Sequence, residues 1–277
     1  MKKTLFTLLL LVSILVVGAE VAKAEDTLRV GMDLKFPPYS YMDEQGNAAG
    51  FEPTIAKAFA EYLGKEVEIV NTDFSLLLPA LDIGDVDILI ADMAYTEERS
   101  QKADFSKPYR YTNTLALVNA DFAKKHNITN EMKEEDFFAI KGANFIGLSG
   151  TKGVYYPEKY GINVKEVTEI GTGIVEISMG MADILVASNE IYSFNAANAK
   201  TTMVYANISA QEGSNFVVKK GNTEMLEKAN AFIDTMYAEG GLYDQIREEY
   251  DVIVGEFMKN DKLGLDFITQ SVDTKVN

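Results

Sequence analysis

The chemistry in this chain concentrates in Asp87-Ile-Leu-Ile-Ala-Asp-Met-Ala-Tyr-Thr-Glu-Glu-Arg99. Ile88 to Ala91 is an apolar run of the length and composition of a buried strand. Thr96 stands as a helix N-cap, with Glu97 and Glu98 in the first turn. A strand that ends at a helix start leaves backbone groups facing an open crevice, where α/β sheets bind ligands. On that first turn Arg99 presents a planar fork of donors suited to a carboxylate. Type and spacing therefore assign Arg99 to an acidic group on a small ligand. The plainer reading is a surface arginine paired with Glu97 or Glu98. Little else competes for chemistry. The single histidine, His126, sits in a charged segment and the chain has no cysteine, so neither a triad nor a metal site is expected. Ser149-Gly-Thr-Lys-Gly153 lacks the Gly-x4-Gly-Lys-Ser/Thr spacing of a phosphate loop. No catalytic residue, cofactor or metal is assigned.

The elements that must position Arg99 follow from periodicity. Thr27 to Met32 reads as a strand closed by Asp33, and the paired prolines of Phe36-Pro-Pro-Tyr39 exclude helix there. Gly50-Phe-Glu-Pro53 opens a helix whose apolar face is residues 55, 56, 59, 60 and 63, stopped by Gly64. Glu66 to Val70 is a strand and Phe74 to Leu81 a short helix. Strand–helix–strand order argues for a mostly parallel sheet wrapped by helices. The rhythm repeats later: strands at 115–118, 144–148, 164–167 and 182–186, with helices from Val154 and over Gly173 to Gly180. Phe216 to Lys219 is a further strand, followed by helices over Glu224 to Ala238 and Tyr243 to Tyr250. The last 22 or so residues lack periodicity and read as a tail or surface strap.

Bulk composition narrows the setting. Residues 1–24 carry a basic start, an apolar core from Leu5 to Gly18 and the small-x-small site Ala22-Lys-Ala24, the pattern of a cleaved secretory signal peptide. The full chain has 26 Lys+Arg against 42 Asp+Glu, a net charge of −16. Cleavage removes three lysines and one glutamate, leaving 23 basic against 41 acidic residues and a net charge of −18. So acidic a protein is a poor partner for nucleic acid. The absence of cysteine excludes disulfides and a lipid-modified cysteine anchor, so the expected location is the periplasm.

Taken in order, Asp33, Phe36-Pro-Pro-Tyr39, Gly50-Phe51, Asp73-Phe74, Pro79-Ala-Leu81, Asp87, Thr96-x-x-Arg99, Asp104-Phe-Ser106, Pro108-Tyr109, Ser149-Gly-Thr151, Ala182-Asp183 and Gly241-x-Tyr243 resemble the solute-binding proteins of polar amino-acid ABC importers. The resemblance reaches to about Tyr250. It implies an α/β fold of two Rossmann-like lobes joined by a two-strand hinge, the type II periplasmic binding protein fold. The first lobe is then 25–114 plus 214–277 and the second 118–210, with hinge strands near 115–118 and 211–215. It further implies a monomer that takes an amino acid, or a modified one, and hands it to an ABC permease. In such proteins the Phe36 and Phe74 positions sandwich the ligand. The Arg99 position clamps its α-carboxylate, helped by the backbone at Ala94, by Thr151 and by the amide of Lys152. The Asp33 position meets the ligand side chain. A dehydratase-like enzyme on the same scaffold, or a sensing module, is the alternative reading; no convincing acid–base pair supports the enzyme.

Two departures stand out. Many members of that group have Gly at position 92 and Ser or Thr at 94, where this chain has Asp92 and Ala94. Many also hold the ligand ammonium with an acid near 188. Here Ser188 and Asn189 occupy those ligand-facing positions, and Glu190 is the nearest acid. An enclosed ammonium without a counter-charge costs several kcal/mol, so Asp92 is expected to replace the missing acid. Met93, with Phe36 and Phe74, suits a soft cation such as a betaine-like ligand. Intact mass of the secreted protein is expected to show a chain beginning at Glu25; a product retaining residues 1–24 overturns the signal-peptide reading.

Overall fold

The computed structural model describes residues 26–269, so the expected signal peptide lies outside the described residues. Along the chain, β1 (Thr27–Met32) leads into a small antiparallel sheet of β2 (Lys35–Phe36), β3 (Ser40–Met42) and β4 (Ala48–Ala49). Then come β5 (Glu66–Asn71), β6 (Ile88–Ala94) and the long β7 (Ala103–Asn113). After Thr114 the chain enters a second sheet of β8 (Leu115–Asn119), β9 (Phe145–Leu148), β10 (Val164–Val167), β11 (Ile184–Ala187) and β12 (Thr202–Tyr205), before β13 (Gln211–Lys219) returns to the first. The first sheet runs β5-β1-β6-β13-β7 and the second β10-β9-β11-β8-β12. In each, three parallel strands are extended by two antiparallel ones. The two lobes thus repeat one plan.

The crossings between sheets lie at Thr114 and over residues 206–210, flanked by the antiparallel pairing of Asn113 with Gln211. Leu115 to Val118, expected as a hinge strand, belongs wholly to the second sheet, where all four residues are buried. The length of β7 was not legible in sequence because it contains Pro108. Proline is tolerated there since β7 is an edge strand, where a missing N–H breaks no ladder.

Separate cores hold the lobes. The first gathers Val30, Ile55, Phe59, Ile88, Phe216, Phe232 and their neighbours, while the second packs on both faces of its sheet. Ile88 to Ile90 are buried on both faces, which is why that segment reads as a continuous apolar run. The expected tail is instead packed. Helix Leu242–Met258 is twice as long as periodicity suggested, and a short helix, Leu265–Thr269, buries Leu265 and Ile268 in the first core. Helix Ile191–Ala197 was also missed. Among the described residues no helix is long and apolar enough to cross a membrane.

Helix Phe51–Tyr62 starts where expected, behind Gly50 at φ 108°. A Cβ at Gly50 would lie 2.5 Å from the Tyr39 carbonyl oxygen. Gly50→Ala is therefore expected to cost about 2 kcal/mol or more in chemical denaturation. Gly46→Ala is its control, with positive φ but open space around it, and is expected to cost about half as much.

Candidate functional site

Between the lobes lies a cleft whose first-lobe wall includes Asp33, Phe36, Phe74, Asp92, Ala94 and Arg99, and whose second-lobe wall includes Thr151, Lys152, Ser188 and Glu190. Most of the residues singled out in the sequence thus meet in one place. Met93 and Asn189 do not line it. Alternation along β6 turns Met93 into the first core, and Asn189 is fully buried with its Nδ2 donating to the Phe267 carbonyl at 3.2 Å.

Arg99 sits as its local sequence suggested. Thr96 caps the short helix Glu97–Ser100, its Oγ1 accepting from the Arg99 N–H at 3.1 Å. The guanidinium lies 5.6 Å from the centre of the Phe74 ring. Its Nη1 donates to the Ala94 carbonyl at 2.7 Å and its Nη2 crosses to the second lobe, donating to the Gly150 carbonyl at 2.6 Å. Both partners are carbonyls, and among the described residues no carboxylate forms an ion pair with it. Burial disfavours its charged form and lowers its pKa.

Below it lies a residue that hydrophobic patterning could not flag, because a charge on a buried strand contradicts that pattern. Arg110, on β7, is fully buried. Its Nη2 lies 3.0 Å from Asp92 Oδ1 and 3.6 Å from Glu52 Oε1, and its guanidinium stacks 4.2 Å from the centre of the Tyr39 ring. Glu52 also accepts from the Tyr109 hydroxyl at 2.5 Å. Asp92 accepts in addition from the Ser214 hydroxyl. It adopts φ 49°, a left-handed conformation that glycine takes freely and aspartate tolerates. Across the cleft, Lys152 lies 3.3 Å from Glu212 Oε2 and donates to Thr112 Oγ1 at 3.2 Å. Thr151 is an N-cap, accepting from the Gly153 N–H and donating to the Leu148 carbonyl.

Asp33 and Glu190 are less fully matched. Asp33 is 4% exposed, and its Oδ2 accepts from the Phe74 N–H at 3.1 Å while its Oδ1 accepts nothing. The Lys35 ammonium lies 3.9 Å away but is bound to Asp73 at 2.7 Å and to Glu169, of the second lobe, at 2.9 Å. Desolvation pushes Asp33 up to about 6, against the pull of Lys35. Glu190 is 7% exposed, with Oε1 accepting from the Ser188 N–H at 3.0 Å and no ion pair among the described residues. Burial, then the Asp92 charge, raise its pKa.

A carboxyl raised from 3.8 to about 6 keeps a proton in the folded chain that the unfolded chain has lost. Its contribution to stability is present at low pH and lost as pH rises through about 6. Asp33→Asn, which cannot ionise, is therefore expected to stabilise the apo protein by about 1–3 kcal/mol at pH 7.5 and to change little at pH 4. Thermal denaturation at the two pH values checks this. An equal effect at both overturns it.

Residues 28–252 match the bacterial extracellular solute-binding proteins, family 3. The L-arginine-binding protein of Pseudomonas aeruginosa is 25% identical over 236 residues, covering 82% of this chain and 88% of that protein. The L-cystine-binding protein TcyJ of Escherichia coli strain K12 is 29% identical over 227 residues, covering 79% and 81%. Among solved structures, an ancestral arginine-binding protein bound to arginine is similar with a TM-score of 0.70 and 32% identity, over 81% of this chain and 97% of that one. With the family match spanning most of the chain and the two-lobed fold around a charged cleft, the protein belongs to the bacterial extracellular solute-binding proteins, family 3.

Proposed function

We propose that this exported protein captures a basic α-amino acid between its lobes and delivers it to an ABC importer. The carrying observation is the charge balance of the cleft. Its lining holds five acids, Asp33, Glu52, Asp92, Glu190 and Glu212, and three bases, Arg99, Arg110 and Lys152. Arg110 is matched by Asp92 and Glu52, and Lys152 by Glu212. Arg99 is left without an acid and Glu190 without a cation among the described residues, while Asp33 has the Lys35 ammonium at 3.9 Å, shared with Asp73 and Glu169. One carboxylate and two cationic groups complement that remainder, which is the charge pattern of an amino acid with a basic side chain.

In this reading Arg99 takes the α-carboxylate, and Phe36 and Phe74 enclose the aliphatic part. Glu190 takes the α-ammonium in place of Asp92, whose carboxylate has Arg110 as its counter-ion. Asp33 meets the distal cation through its Oδ1, which accepts no hydrogen bond. The contacts come from both lobes, so ligand binding favours the closed arrangement. The arginine-binding names of two similar proteins are consistent with this class, while the cystine-binding one is a reminder that family membership does not fix it.

Titration calorimetry of the mature protein is expected to rank L-arginine, L-lysine or L-ornithine above L-glutamine and far above L-glutamate. Arg99→Ala is expected to weaken the best ligand by about a hundredfold or more, and Glu190→Gln by about tenfold or more, the scale of charge-assisted contacts. Tightest binding of an acidic side chain would sink the assignment of class. Failure of every α-amino acid, or a hit that is consumed and not recovered intact, would sink the binding-protein reading.

A further inference from the structure

The two hinge crossings are not the only ties between the lobes. The C-terminal segment is rooted in the first lobe: Leu265 and Ile268 are fully buried in its core, and the Tyr243 hydroxyl bonds both Asp266 Oδ1, at 2.5 Å, and Thr269 Oγ1, at 2.8 Å. From that root it reaches the second lobe. Helix Leu242–Met258 packs on helix Ile191–Ala197, and Lys259 Nζ donates to the Ala196 carbonyl at 2.7 Å. The Phe267 ring stands edge-on to Tyr192 at 5.2 Å between centres, and the Phe267 carbonyl accepts from Asn189 Nδ2. On its inner side the Ile268 carbonyl accepts from Arg110 Nη1 at 3.3 Å. One short segment thus touches both the guanidinium under the cleft and the residues flanking Glu190.

We infer that residues 259–269 form a third strap across the hinge, which holds the Ser188–Glu190 turn against the first lobe and biases the lobes toward closure. Phe267 and Asn189 act as positioning residues: they touch no ligand, but they set where the Glu190 carboxylate stands. The role of Glu190 in holding the ammonium rests on the function proposed above; the mechanical role of the strap does not. Phe267 is the place to test it. Its ring is half-buried, whereas Leu265 and Ile268 are core residues whose loss would unfold the segment.

The cysteine-free sequence permits two spin labels placed at will. Ile83 on the first lobe and Met181 on the second are both well exposed. With labels at Ile83→Cys and Met181→Cys, Phe267→Ala is expected to lengthen and broaden the inter-label distance distribution of the ligand-free protein. Phe267→Tyr is expected to restore it. Affinity for L-arginine is expected to fall about three- to tenfold in Phe267→Ala. A distance distribution unchanged by Phe267→Ala overturns the strap, whatever happens to the melting temperature. If the parent protein does not bind L-arginine, the ligand assignment fails while the distance measurement still decides the strap.

Discussion

A fully buried guanidinium sets the terms for this molecule. Removing a cation from water costs several kcal/mol unless its surroundings replace the lost solvation. Arg110 is compensated from four directions: Asp92 at the end of β6, Glu52 in the first turn of helix Phe51–Tyr62, the face of Tyr39, and the Ile268 carbonyl. Those groups come from elements far apart in sequence, so their chain segments must converge for the charge to be tolerated. The cleft floor is consequently tied together from four segments of the chain. Arg110, Asp92 and Glu52 face chiefly one another, and under the proposed function Arg99, Asp33 and Glu190 are the groups that discriminate a ligand.

The same pair gives a physical reason for the oddest position in the sequence. Position 92 is held at positive φ, a conformation glycine adopts without strain. Aspartate accepts that conformation at modest cost, and its carboxylate lies 3.0 Å from Arg110. Asp92 and Arg110 form one electrostatic unit. Without Asp92 the buried guanidinium would keep Glu52, at 3.6 Å, as its acidic neighbour.

How far the sequence could be read depended on the range of the interactions involved. Helix Phe51–Tyr62, the strand Ile88–Ala94 and the cap at Thr96 are local, and their signals lie within a few residues: Gly50 and Pro53, an apolar run, a hydroxyl three residues before Arg99. Arg99 was legible for the same reason, whereas Asp33, Phe36 and Phe74 were singled out through the family resemblance and not by any local signal. Arg110 and Glu52 were not legible, because each breaks the rule that core positions are apolar and is reconciled by partners outside its own element, Asp92 for Arg110 and the Arg110–Glu52 pairing across 58 residues. The packed C-terminal segment was missed because its few apolar residues, Leu265 and Ile268, make no periodic run of their own. Their burial is dictated by a core assembled from the opposite end of the chain.

Arg99 has one more consequence. Its fork is shared between two backbone carbonyls, one from each lobe, so the guanidinium is both a latch and a receptor. A newcomer does not simply add bonds to it but must outbid uncharged oxygens already in place. A carboxylate does so readily, because it meets the planar guanidinium in a bidentate fork and adds a full negative charge where a carbonyl offers only a dipole. An amine lacking the carboxylate, such as a decarboxylated amino acid, has nothing to offer the fork. Under the proposed function the latch would act as a filter against polyamines, which share the cationic end of a basic amino acid but lack its acid.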